Sequence, residues 1–406
     1  MAKILYLVHR MPYPPNKGDK VRSYHLLRHL AAQHQVYLGT FVDDPEDMAH
    51  VDTLRQWCAD VKVVPLHPRR ARLASLVGLL GSDALTLHYY RDAGLHRWVD
   101  EVVAREGITT AVVFSSSMAQ YAEGRPGLRM LVDFVDLDSA KWSEYAHRQS
   151  WQLSWLYRRE GRTLLDYERR IARLAARSFF VTEQESDLFR ARAPECAQAV
   201  EALYNGVDSD YFSPDPARAS PFAAGDVPLV FTGAMDYWPN VDAVAWFVAD
   251  MLPELRRRQP AVSFHIVGRS PTAAVRALAG NGVHVTGTVP DVRPYLQHAA
   301  VVVAPLRLAR GIQNKVLEAM AMARPVVAAQ PCVDAVPGPA GLGLVGAQDA
   351  SQYVHVVDRL LAEPAKAQAL GAAGRQRVLT HCTWGANLTA IDRHLVEAPR
   401  AHTLTA

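Results

Sequence analysis

The chain has 406 residues, about half of them hydrophobic and 21% charged, which is enough to bury a sizeable core and excludes a disordered or low-complexity chain. Its length points to two domains, and a net charge of +3 argues against a general nucleic-acid binder. That excess is uneven: residues 1–200 carry 27 Lys and Arg against 24 Asp and Glu, whereas the rest balance at 17 and 17.

The elements alternate from the start. Lys3–Val8 predicts a strand, Ser23–Ala32 a helix, and Gln35–Val42 and Val61–Leu66 further strands. Ile108–Ser115 and Leu128–Val135 read as strands, followed by a long helical region from Ser139 to Ala176. Ser178–Thr182 and Ala199–Tyr204 complete the first set, with a helix after Glu183. Asn205-Gly206, Pro214, Pro216 and Pro221 then mark a boundary. The second set has strands at Pro228–Thr232, Ala261–Val267, His284–Gly287, Ala300–Ala304 and Pro325–Ala328. Helices fall near Val241–Arg258, Thr272–Leu278, Val292–His298 and Gln313–Ala323. A tail helix runs from about Thr383 to Ala398. Such alternation predicts an α/β fold of two Rossmann-like, doubly wound domains facing across a cleft. The expected domains are 1–204 and 205–383, with the helix of 384–398 packing back on the first. Ligands of such sheets bind outside the carboxyl ends of strands, so the loops there hold the candidate residues.

After the first strand, Pro12-Tyr13-Pro14-Pro15-Asn16-Lys17-Gly18-Asp19 leads into a helix. Gly18 lets backbone N–H groups approach an anion, with Lys17, Lys20 and Arg22 as nearby charge. An ordinary solvated loop fits the same residues. Between two apolar strands lies Arg310-Gly311-Ile312-Gln313-Asn314-Lys315-Val316-Leu317-Glu318. A helix start with Arg310 and Lys315 concentrates positive potential, and Glu318 can accept hydrogen bonds from hydroxyl groups. The set suits a nucleotide sugar; it also suits a surface helix with an i,i+3 ion pair. Asp133, Asp136 and Asp138 alternate, which raises a metal site, but Asp138-Ser139 before a helix reads as an N-cap and leaves Asp136 as the site candidate.

These stretches resemble retaining glycosyltransferases of family 4, with the two-domain GT-B fold. The likeness rests on Arg310–Glu318, Asn205-Gly206-Val207-Asp208, Phe231-Thr232-Gly233 with Pro239-Asn240, Ile266-Val267-Gly268-Arg269, Val285-Thr286-Gly287 and Lys17-Gly18-Asp19. Together, Asp133–Ser139 and Ala309–Lys315 look closest to the sugar transferases of exosortase-associated (PEP-CTERM) exopolysaccharide systems. The resemblance implies catalytic roles for Asp136, Arg310 and Lys315, and donor binding by Gly18, Gly233, Arg269, Gly311, Asn314 and Glu318. It places Lys17 and Arg22 on the acceptor side. It implies a nucleoside-diphosphate sugar as co-substrate, no separate cofactor, no catalytic metal, and a glycan or polyisoprenyl-linked acceptor. The sequence departs from the family where Arg310 replaces the first glutamate of E-x7-E, and where the Arg and Lys after the first strand of the second domain are missing. Arg269, Arg310 and Lys315 are the substitutes. A sugar-nucleotide epimerase and an inactive scaffold are the alternatives.

Four dispersed cysteines without zinc spacing read as buried thiols of a reducing compartment. The N-terminal apolar stretch is too short for a signal peptide, and no apolar run can span a bilayer, so the expected location is cytoplasmic. Basic and apolar residues at 69–80, and eight arginines against three acids over 148–177, suggest a peripheral membrane contact; solvated helix faces are the plainer account. Gly341-x-Gly343-x-x-Gly346 spells a dinucleotide fingerprint but reads as a loop entering a strand.

Overall fold

The computed structural model describes residues 1–15, 18–146, 151–308, 311–339 and 341–396. Two compact units divide the chain: Met1–Tyr204 with the chain from Leu388 onward, and Asn205–Asn387.

The first unit holds a seven-stranded sheet ordered β3-β2-β1-β4-β5-β6-β7. Its strands are β1 (Lys3–Val8), β2 (Gln35–Val42), β3 (Asp60–Pro65), β4 (Thr110–Phe114), β5 (Arg129–Val135), β6 (Arg177–Phe180) and β7 (Val200–Ala202). All pair in parallel. Helices cover both faces of such a sheet, so its central strands must be apolar throughout: Ile4 to Val8 are all buried. The second unit repeats the plan in six parallel strands, ordered β10-β9-β8-β11-β12-β13. These are β8 (Val227–Thr232), β9 (Val262–Val267), β10 (Val283–Gly287), β11 (Val301–Ala304), β12 (Val326–Ala329) and β13 (Val345–Ala347). In both sheets the order reverses beside the first strand, between β1 and β4 and between β8 and β11. Those points open a crevice at the carboxyl ends.

Helix boundaries depart from the sequence reading where proline or tertiary contacts decide them. The helix expected over Val241–Arg258 is two, Trp238–Asp250 and Leu252–Arg258, with Pro253 opening the second. Helices Ala350–Ala362 and Pro364–His381 follow β13. The fingerprint-like glycines lie before and within β13. A Cβ on Gly343 would lie 2.2 Å from Gly374 Cα of the Pro364–His381 helix, so close packing explains that glycine. All four cysteines are buried and free. No described helix is long and apolar enough to cross a membrane.

Arg22 corrects the expectation of an acceptor-side cation. It is 1% exposed, and its guanidinium grips Asp133, which is fully buried, through Nε–Oδ2 (2.8 Å) and Nη2–Oδ1 (2.9 Å). The fork ties the helix Gly18–Gln33 to β5 across 111 residues of sequence. Lys20 is likewise buried on Asp47 at 2.6 Å. Removing one partner strands a buried charge: Arg22→Met lowers the unfolding free energy by roughly 3–5 kcal/mol. Adding Asp133→Leu to that variant restores much of it. Urea unfolding of the two variants reads the difference.

Candidate functional site

Backbone strain gathers at the carboxyl ends of the strands. Three non-glycine residues there adopt positive φ: Ser115 after β4 (73°), Val135 closing β5 (67°) and Ser270 after β9 (53°). For a β-branched valine this is a true outlier, persisting only where surrounding structure holds it.

In the first unit, Val135 turns the chain so that Asp136 projects beyond β5, where its Oδ2 pairs with Lys141 Nζ at 2.8 Å. Asp138 takes the same ammonium at 3.0 Å. Burial works against the Lys141 charge, but Asp138 and Asp136 hold its pKa above the ordinary lysine range. Asp138 is therefore not the expected N-cap; it is the first residue of the helix Asp138–Ala146. The N–H groups there are met by carboxylates from elsewhere: Glu185 accepts from Leu137 at 3.1 Å and Glu168 from Ser139 at 3.4 Å. Complete burial pushes the Glu168 carboxyl up to about 8.

Beside β1, Gly18 is the first helical residue, and a Cβ built on it meets none of the described residues within 4 Å. Asp19 joins Arg10 and lies 3.5 Å from His9, while Arg10 also reaches Asp43. Burial raises the Asp19 pKa, but its hydrogen bond to His9 and the Arg10 charge outweigh this and leave it well below the carboxylate range. Of the cations foreseen around Gly18, Lys20 and Arg22 are thus spent on carboxylates. Lys17 lies outside the described residues.

The second unit gathers its candidates at the β8/β11 switch point. Gly233 follows β8 and Gly268 follows β9, with φ of 154° and 155°. A Cβ on Gly268 would lie 1.6 Å from the Gly233 carbonyl oxygen, so these turns touch main chain to main chain. Hydrogen bonds from Gly233 N to Val267 O (3.0 Å) and Met235 N to Arg269 O (2.8 Å) lock them together. The Arg269 side chain is exposed. A Cβ on Gly233 would crowd Asn240 Nδ2 (2.7 Å) and Lys315 Nζ (3.1 Å), so glycine keeps the space around Lys315 open.

After β11, Gly311 takes φ of 62° and the helix Asn314–Ala321 begins. Gln313 at its N-cap makes no side-chain cap hydrogen bond, and no acid occupies the first turn, so the positive end of the helix stays uncompensated by carboxylate. Asn314 opens the helix, half-buried. Lys315 Nζ donates to Asn240 Oδ1 at 2.5 Å and sits 4.1 Å from the Phe231 ring centroid. Glu318 lies one turn on. Both charged side chains are half-buried, and burial dominates each: it lowers Lys315 to about 7, against the attraction of Glu318, and raises Glu318 to about 7, against Lys315. Arg310 lies outside the described residues.

The structure thus brings Gly233, Lys315, Gly311, Asn314 and the Arg269 main chain to one switch point. Asn240 and Phe231 emerge as partners of Lys315 that sequence reasoning did not assign to the site. Asn240 lies 75 residues from Lys315, and its signal was its place just after Pro239 in the motif that carries the family resemblance. A separate cavity of about 510 Å³, lined by Asp226, Ser263, His265 and His284, opens toward the amino ends of β8–β10, away from these loops. Among the described residues no group of three His, Cys, Asp or Glu side chains is placed to hold a metal ion.

Residues 227–363 match the family model described as Glycosyl transferases group 1. The solved structures settle the architecture. The fold is GT-B. Anabaena HepE in complex with UDP and glucose superposes with a TM-score of 0.64 at 16% identity, covering 97% of this chain and 99% of that one. Sucrose-phosphate synthase from Thermosynechococcus elongatus gives 0.68 at 20%, covering 97% and 98%. A GDP-mannose-dependent alpha-(1-6)-phosphatidylinositol monomannoside mannosyltransferase of Mycolicibacterium smegmatis is 33% identical over 231 residues, which span 50% of this chain and 58% of that protein. The family segment runs from β8 through the helix after β13, so the GT-B chain carries its matched segment around Gly233, Lys315 and Glu318.

A diphosphate beside Lys315 favours its charged form. A nucleoside diphosphate bound there would therefore take up protons where Lys315 is part-neutral in the empty site, and would bind more weakly as pH rises above about 7. Glu318→Gln removes the second titrating group of the pair, so that the uptake read is that of Lys315 alone. Calorimetry of that variant near pH 7.5, in two buffers of different ionisation enthalpy, shows net uptake approaching about one proton per site.

Proposed function

We propose that the protein is a retaining glycosyltransferase that moves a sugar from a nucleoside-diphosphate sugar to a glycan or polyisoprenyl-linked acceptor. The observation that carries this reading is the pairing of the helix N-terminus at Asn314 with Lys315 and Glu318 at the β8/β11 switch point, inside the matched segment. Helix N–H groups and an ammonium favour negative charge, and that charge grows on the departing diphosphate as the glycosidic bond to it breaks and the bond to the acceptor oxygen forms. Glu318 accepts hydrogen bonds from the ribose diol. Asn240 and Phe231 fix the ammonium, so little reorganisation is needed as the donor reacts. Asp136, held by Lys141, is the carboxylate assigned to the reacting sugar, and the front-face course is that of the resembling family.

Relatives supply the donor class: HepE was solved with UDP-glucose, and the mannosyltransferase is GDP-mannose-dependent. The likeness of Asp133–Ser139 and Ala309–Lys315 to exosortase-associated transferases supports a place in exopolysaccharide synthesis on the cytoplasmic side. We assign no separate cofactor and no catalytic metal.

Lys315→Ala and Glu318→Ala each lower transfer by at least about 100-fold. Circular dichroism and melting temperature stay near wild type. A thermal-shift screen identifies the donor, and radiolabelled transfer to a membrane lipid extract measures turnover. Turnover equal to wild type in either variant removes that residue from the site, and product formed without acceptor converts the reading to an epimerase.

A further inference from the structure

Large apolar side chains exposed on a folded protein are normally scattered singly. Here five fall within eight residues: Leu73, Leu76, Val77, Leu79 and Leu80, exposed by 71, 45, 60, 37 and 91%. They belong to the helix Pro68–Ser75 and the short helical turn Leu76–Leu80 that continues it. The outward display is built in. Ser75 and Gly78 face inward, and a Cβ on Gly78 would lie 2.7 Å from the His88 ring. Arg159 Nη2 donates to the carbonyls of Gly78 (2.6 Å) and Gly81 (2.7 Å), clamping the turn to the helix Trp151–Leu174. Glu160, buried, accepts from the N–H groups of Leu85 and Thr86 and fastens the segment that follows.

The clamp also defines a neighbourhood. Residues 155, 158, 159 and 162 share one face of that helix at i, i+3, i+4 and i+7. Arg159 on this face is bonded to the apolar turn, so Trp155, 58% exposed, and the exposed Arg158 and Arg162 adjoin it. Most other arginines of the basic run are consumed: Arg169 and Arg173 by Glu195, Arg170 by Glu123 and Arg177 by Glu201. Arg158 and Arg162 form no ion pair with a carboxylate among the described residues, and neither do Arg69, Arg70 and Arg72 beside the leucines. A protein partner would have to bury this many unpaired guanidinium groups. A lipid surface takes the apolar side chains at the acyl boundary and the arginines at its phosphates.

We propose that residues 69–80, with Trp155, Arg158 and Arg162, form a docking surface for an anionic lipid bilayer. It goes beyond the transfer reaction and is tested without donor. The full chain is sedimented with phosphatidylcholine vesicles that contain or lack phosphatidylglycerol. The expected result is binding to the anionic vesicles that weakens with added salt. Leu76→Ser/Val77→Ser/Leu80→Ser and Arg69→Glu/Arg70→Glu/Arg72→Glu each reduce partitioning at least about tenfold. Circular dichroism and melting temperature remain those of the parent. Failure of the parent chain to sediment with anionic vesicles overturns the surface, as does sedimentation undiminished in both variants. Self-association that the leucine variant abolishes, without vesicle binding, assigns the patch to a second copy instead. Each outcome is independent of whether Lys315 and Glu318 support transfer.

Discussion

A parallel strand cannot turn back on itself; a crossover must carry the chain to the far end before the next strand begins. All the strands in both sheets obey this rule, so within each sheet the carboxyl ends collect on one side and every candidate loop opens there. Gly233, Gly268 and the Gly311–Lys315 turn are separated by as many as 82 positions, yet they leave strands that are next to or one removed from each other. The same geometry explains where the strain sits. Ser115, Val135 and Ser270 take left-handed backbone at or just past the strand ends, where the chain must leave the sheet abruptly.

The two units handle charge in opposite ways. The first carries most of the basic excess, but near β1 and β5 three of its cations are neutralised internally: Arg22 by Asp133, Lys20 by Asp47, Arg10 by Asp19 and Asp43. Those pairs hold the elements in place. The second is nearly neutral, with 15 Lys and Arg against 14 Asp and Glu, yet it leaves a lysine on a neutral amide and an aromatic face, where desolvation lowers its pKa. A lysine with no carboxylate at ion-pair distance among the described residues is primed for an anion that arrives from outside.

Strands were the most legible part of the sequence because both sheet faces are covered, and continuous apolar runs such as Lys3–Val8 and Gln35–Val42 admit few other readings. The helix starting near Gln313 was legible from Gly311. What composition could not convey was pairing at long range. The letters of Arg22 are those of a surface cation, and only the position of Asp133 on a neighbouring strand makes it a buried tie. Asp138 reads as an N-cap by its neighbours in sequence, whereas the helix start is served by Glu185 and Glu168 from elsewhere in the fold. Asn240 was visible in the motif that carried the family resemblance, but its bond to Lys315 was not.

The contact between Gly233 and Gly268 bears on how such a protein changes over generations. Two turns that meet through main-chain atoms have no side chain to lose, and any substitution at Gly268 meets the facing carbonyl. Around this fixed joint, Arg269, Tyr237 and Trp238 project outward and are exposed. Substitution at the outward residues can therefore change what these loops present while the joint stays in place, so that the scaffold and its exposed chemistry are separable.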